Sequence, residues 1–118
     1  MKEIAQVFKE KWLNLMSDYF VSKGATVIEE GDKRKKLRIN THKYGEVEII
    51  LFNGLKTAFL MTYTFKEPER VGKDYRLSPI CNDTENKDDS TSFFVHMLEP
   101  FPYLMEDFYK RVDKLISV

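Results

Sequence analysis

Cysteine, histidine and glycine are scarce in this chain of 118 residues, which has one Cys, two His and five Gly. Because Cys81 is alone, an internal disulfide and a zinc site built on several cysteines are excluded. His42 and His96 match no spacing typical of a metal site or of a Cys–His pair. The isolated glycines exclude a glycine-rich phosphate-binding loop. We therefore predict no metal, no cofactor and no catalytic residue.

Long apolar runs and an excess of charge of one sign are also missing. No stretch reaches the roughly 18 apolar residues that a membrane-spanning helix needs. Charges at Lys9, Glu10 and Lys11 interrupt the apolar core that a signal peptide requires. With the single cysteine, this favours a cytoplasmic protein that does not bind a membrane. The 19 Lys and Arg balance the 19 Asp and Glu, which argues against a generally basic nucleic-acid binder and against an acidic DNA mimic.

Hydrophobic patterning predicts a helix at each end and a sheet between them. Hydrophobic residues make up 42% of the chain, enough for one core and one domain over residues 1–118. Apolar residues recur at helical spacing from about Lys2 to Lys23 and from Pro102 to about Ile116. The segment between them alternates as strands do, about four or five times. We therefore expect an α+β fold, in which two helices pack on an antiparallel meander sheet in two layers.

The dipeptide Asn53-Gly54 is the clearest local signal. Between two apolar runs it favours a two-residue type I′ turn, because both residues tolerate positive φ. This turn would pair Phe52 with Leu55 and make a hairpin that is apolar on both faces, so we expect the hairpin at the centre of the sheet. If the helices cover one face only, the other face exposes an apolar patch for a partner, a ligand or a second copy. The contact residues expected there are Phe52, Phe59, Met61 and Tyr63.

The segment between the hairpin and the last helix has a weaker pattern. Tyr75–Ile80 is a candidate fifth strand, and Pro79 would place it at an edge of the sheet. Cys81–Ser92 is the most polar stretch and is predicted to be a loop. Phe93–Leu98 fits either a last strand or the start of a helix.

The neutral total hides two charged segments of opposite sign. A basic hairpin could lie along a phosphate backbone, and an acidic loop could steer a protein partner. The basic residues are Lys33, Arg34, Lys35, Lys36, Arg38 and Lys43, and the acidic residues are Asp83, Glu85, Asp88 and Asp89.

Glu46 and Glu48 are the only candidates for acid–base chemistry that the pattern offers. They lie two residues apart on one face of a strand, which could suit two carboxylates acting across a water. With His96 they define a hypothesis of a small-molecule or enzymatic pocket between sheet and helices. Solvated residues at the base of the hairpin explain the same pattern.

Three functions follow from these features. The leading hypothesis is a small non-enzymatic binding or regulatory protein that acts by stoichiometric contact with a protein partner or with itself. The second is nucleic-acid binding through residues 33–43, and the third is the pocket with Glu46, Glu48 or His96. The helix–meander–helix order resembles that of small bacterial or phage binding proteins such as immunity proteins, inhibitors and secretion chaperones, a likeness of fold only.

Overall fold

A computed structural model describes the backbone of residues 5–70, 83–86, 90–96 and 101–116, and the side chains of residues 5–67, 69–70 and 102–116. Within these ranges the predicted α+β class is confirmed, with a helix at each end of an antiparallel sheet. The elements in chain order are α1 (Gln6–Ser22), β1 (Thr26–Glu30), β2 (Arg34–Thr41), β3 (Gly45–Phe52), β4 (Ala58–Phe65), β5 (Asp83–Asn86), β6 (Ser90–His96) and α2 (Phe101–Ile116).

The described strands form one six-stranded sheet in the order β1-β2-β3-β4-β6-β5. The β3–β4 hairpin is central, as expected. The loop predicted for 81–92 is wrong at residues 83–86 and 90–92, which belong to β5 and β6. An edge strand such as β5 pairs with another strand on one side only and need not be apolar. Its polar composition therefore gave no indication of a strand. The candidate strand Tyr75–Ile80 lies outside the described residues.

The predicted register of the central hairpin is also wrong. Phe52 pairs with Leu60 instead of Leu55, a shift of five residues. Because side chains alternate between the two faces of a strand, an odd shift moves every side chain of β4 to the other face. The partners across the hairpin include Val47 with Phe65, Ile49 with Tyr63 and Leu51 with Met61.

Asn53 is buried and bonded to α1 instead of forming the turn. The loop between β3 and β4 is therefore longer than the predicted two-residue turn and spans residues 53–57. The Asn53 side chain is 1% exposed, and its Nδ2 donates to the Lys9 carbonyl of α1 at 2.8 Å. Its backbone N–H donates to the Lys33 carbonyl at 2.9 Å. Among the described glycines, only Gly24 and Gly45 have positive φ, so the type I′ geometry that Asn53-Gly54 suggested does not form.

Aromatic rings join both helices to the same face of the sheet. Trp12 of α1 stacks on Phe59 of β4 with ring centroids 4.6 Å apart and meets Phe108 of α2 edge-on at 5.3 Å. Tyr19 of α1 stacks on Tyr109 of α2. The core beneath the helices includes Trp12, Leu13, Met16, Phe20, Leu37, Ile39, Val47, Ile49, Leu51, Phe59, Met61, Tyr63, Leu104, Phe108, Val112 and Leu115.

A hydrogen bond strengthens the contact between the helices. The Tyr19 hydroxyl donates to Asp113 Oδ1 at 2.6 Å. This bond, together with burial, raises the pKa of Tyr19 to about 12. The phenol therefore stays protonated and keeps donating throughout the neutral range.

A short 3₁₀ turn, Pro68–Arg70, folds back over the β2–β3 turn. Arg70 donates to the His42 carbonyl at 2.8 Å and to Glu67 at 3.1 Å. Gly45 lies beneath this pair with φ of +72°, and a Cβ there would overlap Glu67 Oε2 and lie 2.7 Å from Arg70 Nη1. Residue 45 is therefore restricted by its backbone conformation and by its neighbours together.

We expect Gly45→Ala to lower the free energy of unfolding by about 1–2 kcal/mol, because it adds backbone strain and displaces the exposed Glu67–Arg70 pair. Gly24→Ala is the matched control. Its φ is +103° and an added Cβ would meet nothing within 4 Å, so strain alone should cost about 1 kcal/mol. Urea unfolding followed by the fluorescence of Trp12, the single tryptophan, measures both. Equal losses in the two variants would show that the overlap at residue 45 has no cost.

Candidate functional site

The face of the sheet opposite the helices is the main candidate for a functional surface. The buried residues of α1 and α2 belong to one cluster with the inward side chains of β2, β3 and β4. The side chains that alternate with those inward residues point away from both helices. We term this surface the open face, and its described residues include Arg34, Lys36, Arg38, Asn40, Glu46, Glu48, Ile50, Phe52, Leu60, Thr62, Thr64 and Lys66.

One half of the open face is a continuous network of ion pairs. Arg38 bridges the two carboxylates, with 3.4 Å to Glu46 and 3.5 Å to Glu48. Lys66 lies 2.6 Å from Glu46, and Lys36 lies 3.6 Å from Glu48. Three cations therefore surround two anions, so the charges of this network are paired and sum to a formal +1.

This network determines the chemistry available to the two glutamates. The hydrogen bond from Lys66 holds the pKa of the Glu46 carboxyl below its ordinary value. A general acid needs the opposite, a carboxyl whose pKa is raised toward neutrality. Glu46 and Glu48 share one face, as predicted, and both pair with Arg38.

The other half of the open face is apolar. Ile50, Phe52 and Leu60 are each half-buried. The Phe52 ring lies across Gly54 so closely that a Cβ at residue 54 would overlap it. The open face therefore joins a network of paired charges to a small apolar area, with Thr62 and Thr64 alongside.

Three of the predicted contact residues on the sheet need correction. Phe59, Met61 and Tyr63 are 0% exposed and lie beneath the helices. The shifted register is the reason, since it turns these side chains of β4 away from the face that carries Phe52. Phe52 is the one predicted sheet contact that lies on the open face.

The acidic segment is only partly described. Asp83 and Glu85 belong to the edge strand β5. Asp88 and Asp89 lie outside the described residues.

The basic hairpin is divided between two faces and largely paired. Lys35 lies on the helix side, where its Nζ donates to Asn14 at 3.2 Å and lies 3.6 Å from Glu30. Arg34 pairs with Glu29 at 3.2 Å. With Lys36 and Arg38 in the open-face network, four of the six predicted cations have carboxylate partners. Of the other two, Lys33 lines the cavity described next, and Lys43 lies 5.5 Å from the Tyr44 ring centroid.

A cavity of about 450 Å³ lies between α1 and the β1–β2 turn. Its walls are mostly exposed polar side chains. The hypothesis of a pocket between sheet and helices with Glu46 and Glu48 is wrong for those two residues, because both lie on the face away from the helices. His96 is placed by its backbone alone, opposite Ala58. The cavity is lined by Gln6, Glu10, Leu13, Asn14, Gly31, Asp32, Lys33 and Lys35.

Sequence reasoning missed Lys66, Leu60, Thr62 and Thr64 as members of the candidate surface. Lys66 follows β4 and reaches Glu46 of β3 only when the strands pair in the observed register. Its backbone N–H also donates to the Glu46 carbonyl at 3.2 Å. Only the correct register of β3 with β4 would have identified these residues.

We expect the Glu46–Lys66 pair to make stability depend on acid pH. The folded pKa of Glu46 lies below its ordinary value of 4.5, so its contribution is present above that value and is lost as pH falls through the folded pKa. Glu46→Gln should therefore be less stable than the parent at pH 7, and the difference should vanish in strong acid. Glu106→Gln, which removes an exposed pair with Lys110, is the control and should change little. Urea titrations across pH measure this, and a difference independent of pH would contradict it.

The described residues contain no group of three His, Cys, Asp or Glu that could hold a metal ion. None of the helices described here is both long and apolar enough to cross a bilayer. No protein-family model, no curated protein and no solved structure matches the chain. Its function is therefore inferred from its residues and their geometry.

Proposed function

We propose that the protein is a small non-enzymatic binding protein that makes stoichiometric contact with another protein chain through its open face. One observation carries this proposal: α1 and α2 pack on the same face of the sheet, so neither of them covers the other face. An antiparallel sheet can present one face to water, but that face is then normally polar throughout. Here the open face keeps Ile50, Phe52 and Leu60 beside its charges, a combination that supports protein contact.

The ion network supports a protein partner in a second way. Arg38 and Lys36 are held by Glu46 and Glu48 in the free protein. Side chains that are already ordered lose less conformational entropy when a partner packs on them. A preordered rim of paired charges beside an apolar centre is typical of protein interfaces.

The same ion pairs weaken the case for nucleic acid. Lys and Arg side chains that neutralise phosphates release the counterions condensed on the nucleic acid, and this release supplies binding free energy. Arg34, Lys35, Lys36 and Arg38 already have carboxylate partners, so these pairs would have to be broken or shared. The small-molecule hypothesis has less support as well, because the cavity beside α1 is lined mainly by exposed polar groups.

A charge-balanced pair of substitutions tests the open face. Ile50→Glu with Thr64→Arg adds one charge of each sign to the face and leaves the net charge unchanged. The matched control is Val7→Glu with Tyr103→Arg, at two side chains that are each 64% exposed and do not belong to the open face. Trp12 fluorescence should confirm that both variants fold.

Each protein is used to capture partners from an extract of the source cells, with and without nuclease treatment. The molar mass of the complexes is measured by light scattering. We expect a complex of fixed stoichiometry with the parent and the control, and at least roughly tenfold weaker binding with the open-face variant. Light scattering of the purified protein alone shows whether the partner is a second copy. The proposal fails if the open-face variant binds as the parent does, or if nuclease removes all binding.

A further inference from the structure

Asn53-Gly54 is a chemically labile pair that the turn prediction left without a role. In a flexible chain, the backbone nitrogen of Gly54 can attack Cγ of Asn53, because glycine has no Cβ to hinder the approach. A bond forms between that nitrogen and Cγ, the Cγ–Nδ2 bond breaks, and Nδ2 leaves as ammonia. Water then opens the five-membered imide to aspartate or isoaspartate. The net change is an amide and water giving a carboxylate and ammonium.

Several contacts of the folded protein restrain Asn53 and Gly54 against this reaction. Nδ2 of Asn53 is held by the Lys9 carbonyl at 2.8 Å, and the side chain is 1% exposed. The backbone N–H of the same residue is held by the Lys33 carbonyl at 2.9 Å. The Phe52 ring covers Gly54. Rotation of the side chain toward the Gly54 nitrogen therefore requires the bond to Lys9 to break, and the buried carboxamide meets bulk water only after local opening.

We propose that Asn53 is a deamidation site guarded by the fold, and that its deamidation permanently releases the first turns of α1 from the sheet. A carboxylate at residue 53 has no N–H to donate to the Lys9 carbonyl. It would instead place a buried negative charge against that oxygen, which is costly without a new partner. The isoaspartate product also lengthens the backbone at the point where residue 53 bonds to Lys33. A single local opening at Asn53 can thereby produce a permanent covalent change.

The parent protein tests the first half of the proposal. It is incubated at mildly alkaline pH, folded in buffer and unfolded in urea, and peptide mass spectrometry follows each asparagine. We expect Asn53 to deamidate at least roughly tenfold more slowly in the folded protein, because reaction then requires opening. Asn14 and Asn40 are internal references, since both are exposed and are followed by Leu15 and Thr41. Equal rates at Asn53 in the two conditions would overturn the guarding role.

Asn53→Asp tests the second half. We expect its midpoint of thermal unfolding to fall by roughly 5 °C or more, and complete loss of the folded state counts as the same outcome. Asn14→Asp is the matched control, because an aspartate there can still accept from Lys35, and its midpoint should move by less than about 2 °C. Hydrogen exchange should show faster opening of residues 6–12 in the Asn53→Asp protein. Parent-like stability and exchange in that variant would overturn the release of α1.

Discussion

The pairing register of β3 with β4 is the constraint on which the rest of this structure depends. With Leu51 opposite Met61 and Ile49 opposite Tyr63, the fully buried apolar side chains of both strands lie on one face. A slip of one residue would turn the whole apolar set of β4 outward. Trp12 can stack on Phe59 only because β4 presents that ring to the helix side. The helices therefore pack on the face of the sheet to which this register directs the core side chains.

The open face follows from the same register. Once the core side chains are turned inward, Glu46 and Glu48 face outward beside Arg38 of β2, and Lys66 reaches Glu46 from the end of β4. The charges on this face compensate one another across strands. What distinguishes the face is thus a set of paired charges next to Ile50 and Leu60. Surfaces of this kind are complementary to other protein surfaces.

The sequence was sufficient for the features that depend on local periodicity. The two helices, the central position of the hairpin and the shared face of Glu46 and Glu48 all follow from spacing along one element. The register was missed because Asn53 was interpreted from its neighbour Gly54, whereas its side chain bonds to Lys9, 44 positions away. The charge pairing of the basic hairpin was missed for a similar reason, since the partner of Arg38 lies on another strand. Contacts between elements decided each of these outcomes, and no single-element pattern contains them.

The end of β3 is where the two faces of the sheet are coupled. Asn53 is bound to α1 on the helix side, and its neighbour Phe52 belongs to the open face and lies over Gly54. Two consecutive residues thus fix a helix on one side and part of the apolar area on the other. The backbone of Phe52 is held by its pairing with Arg34 and Leu60, and Asn53 extends the same strand end to α1. The docking of α1 and the apolar area of the open face therefore meet at one end of β3.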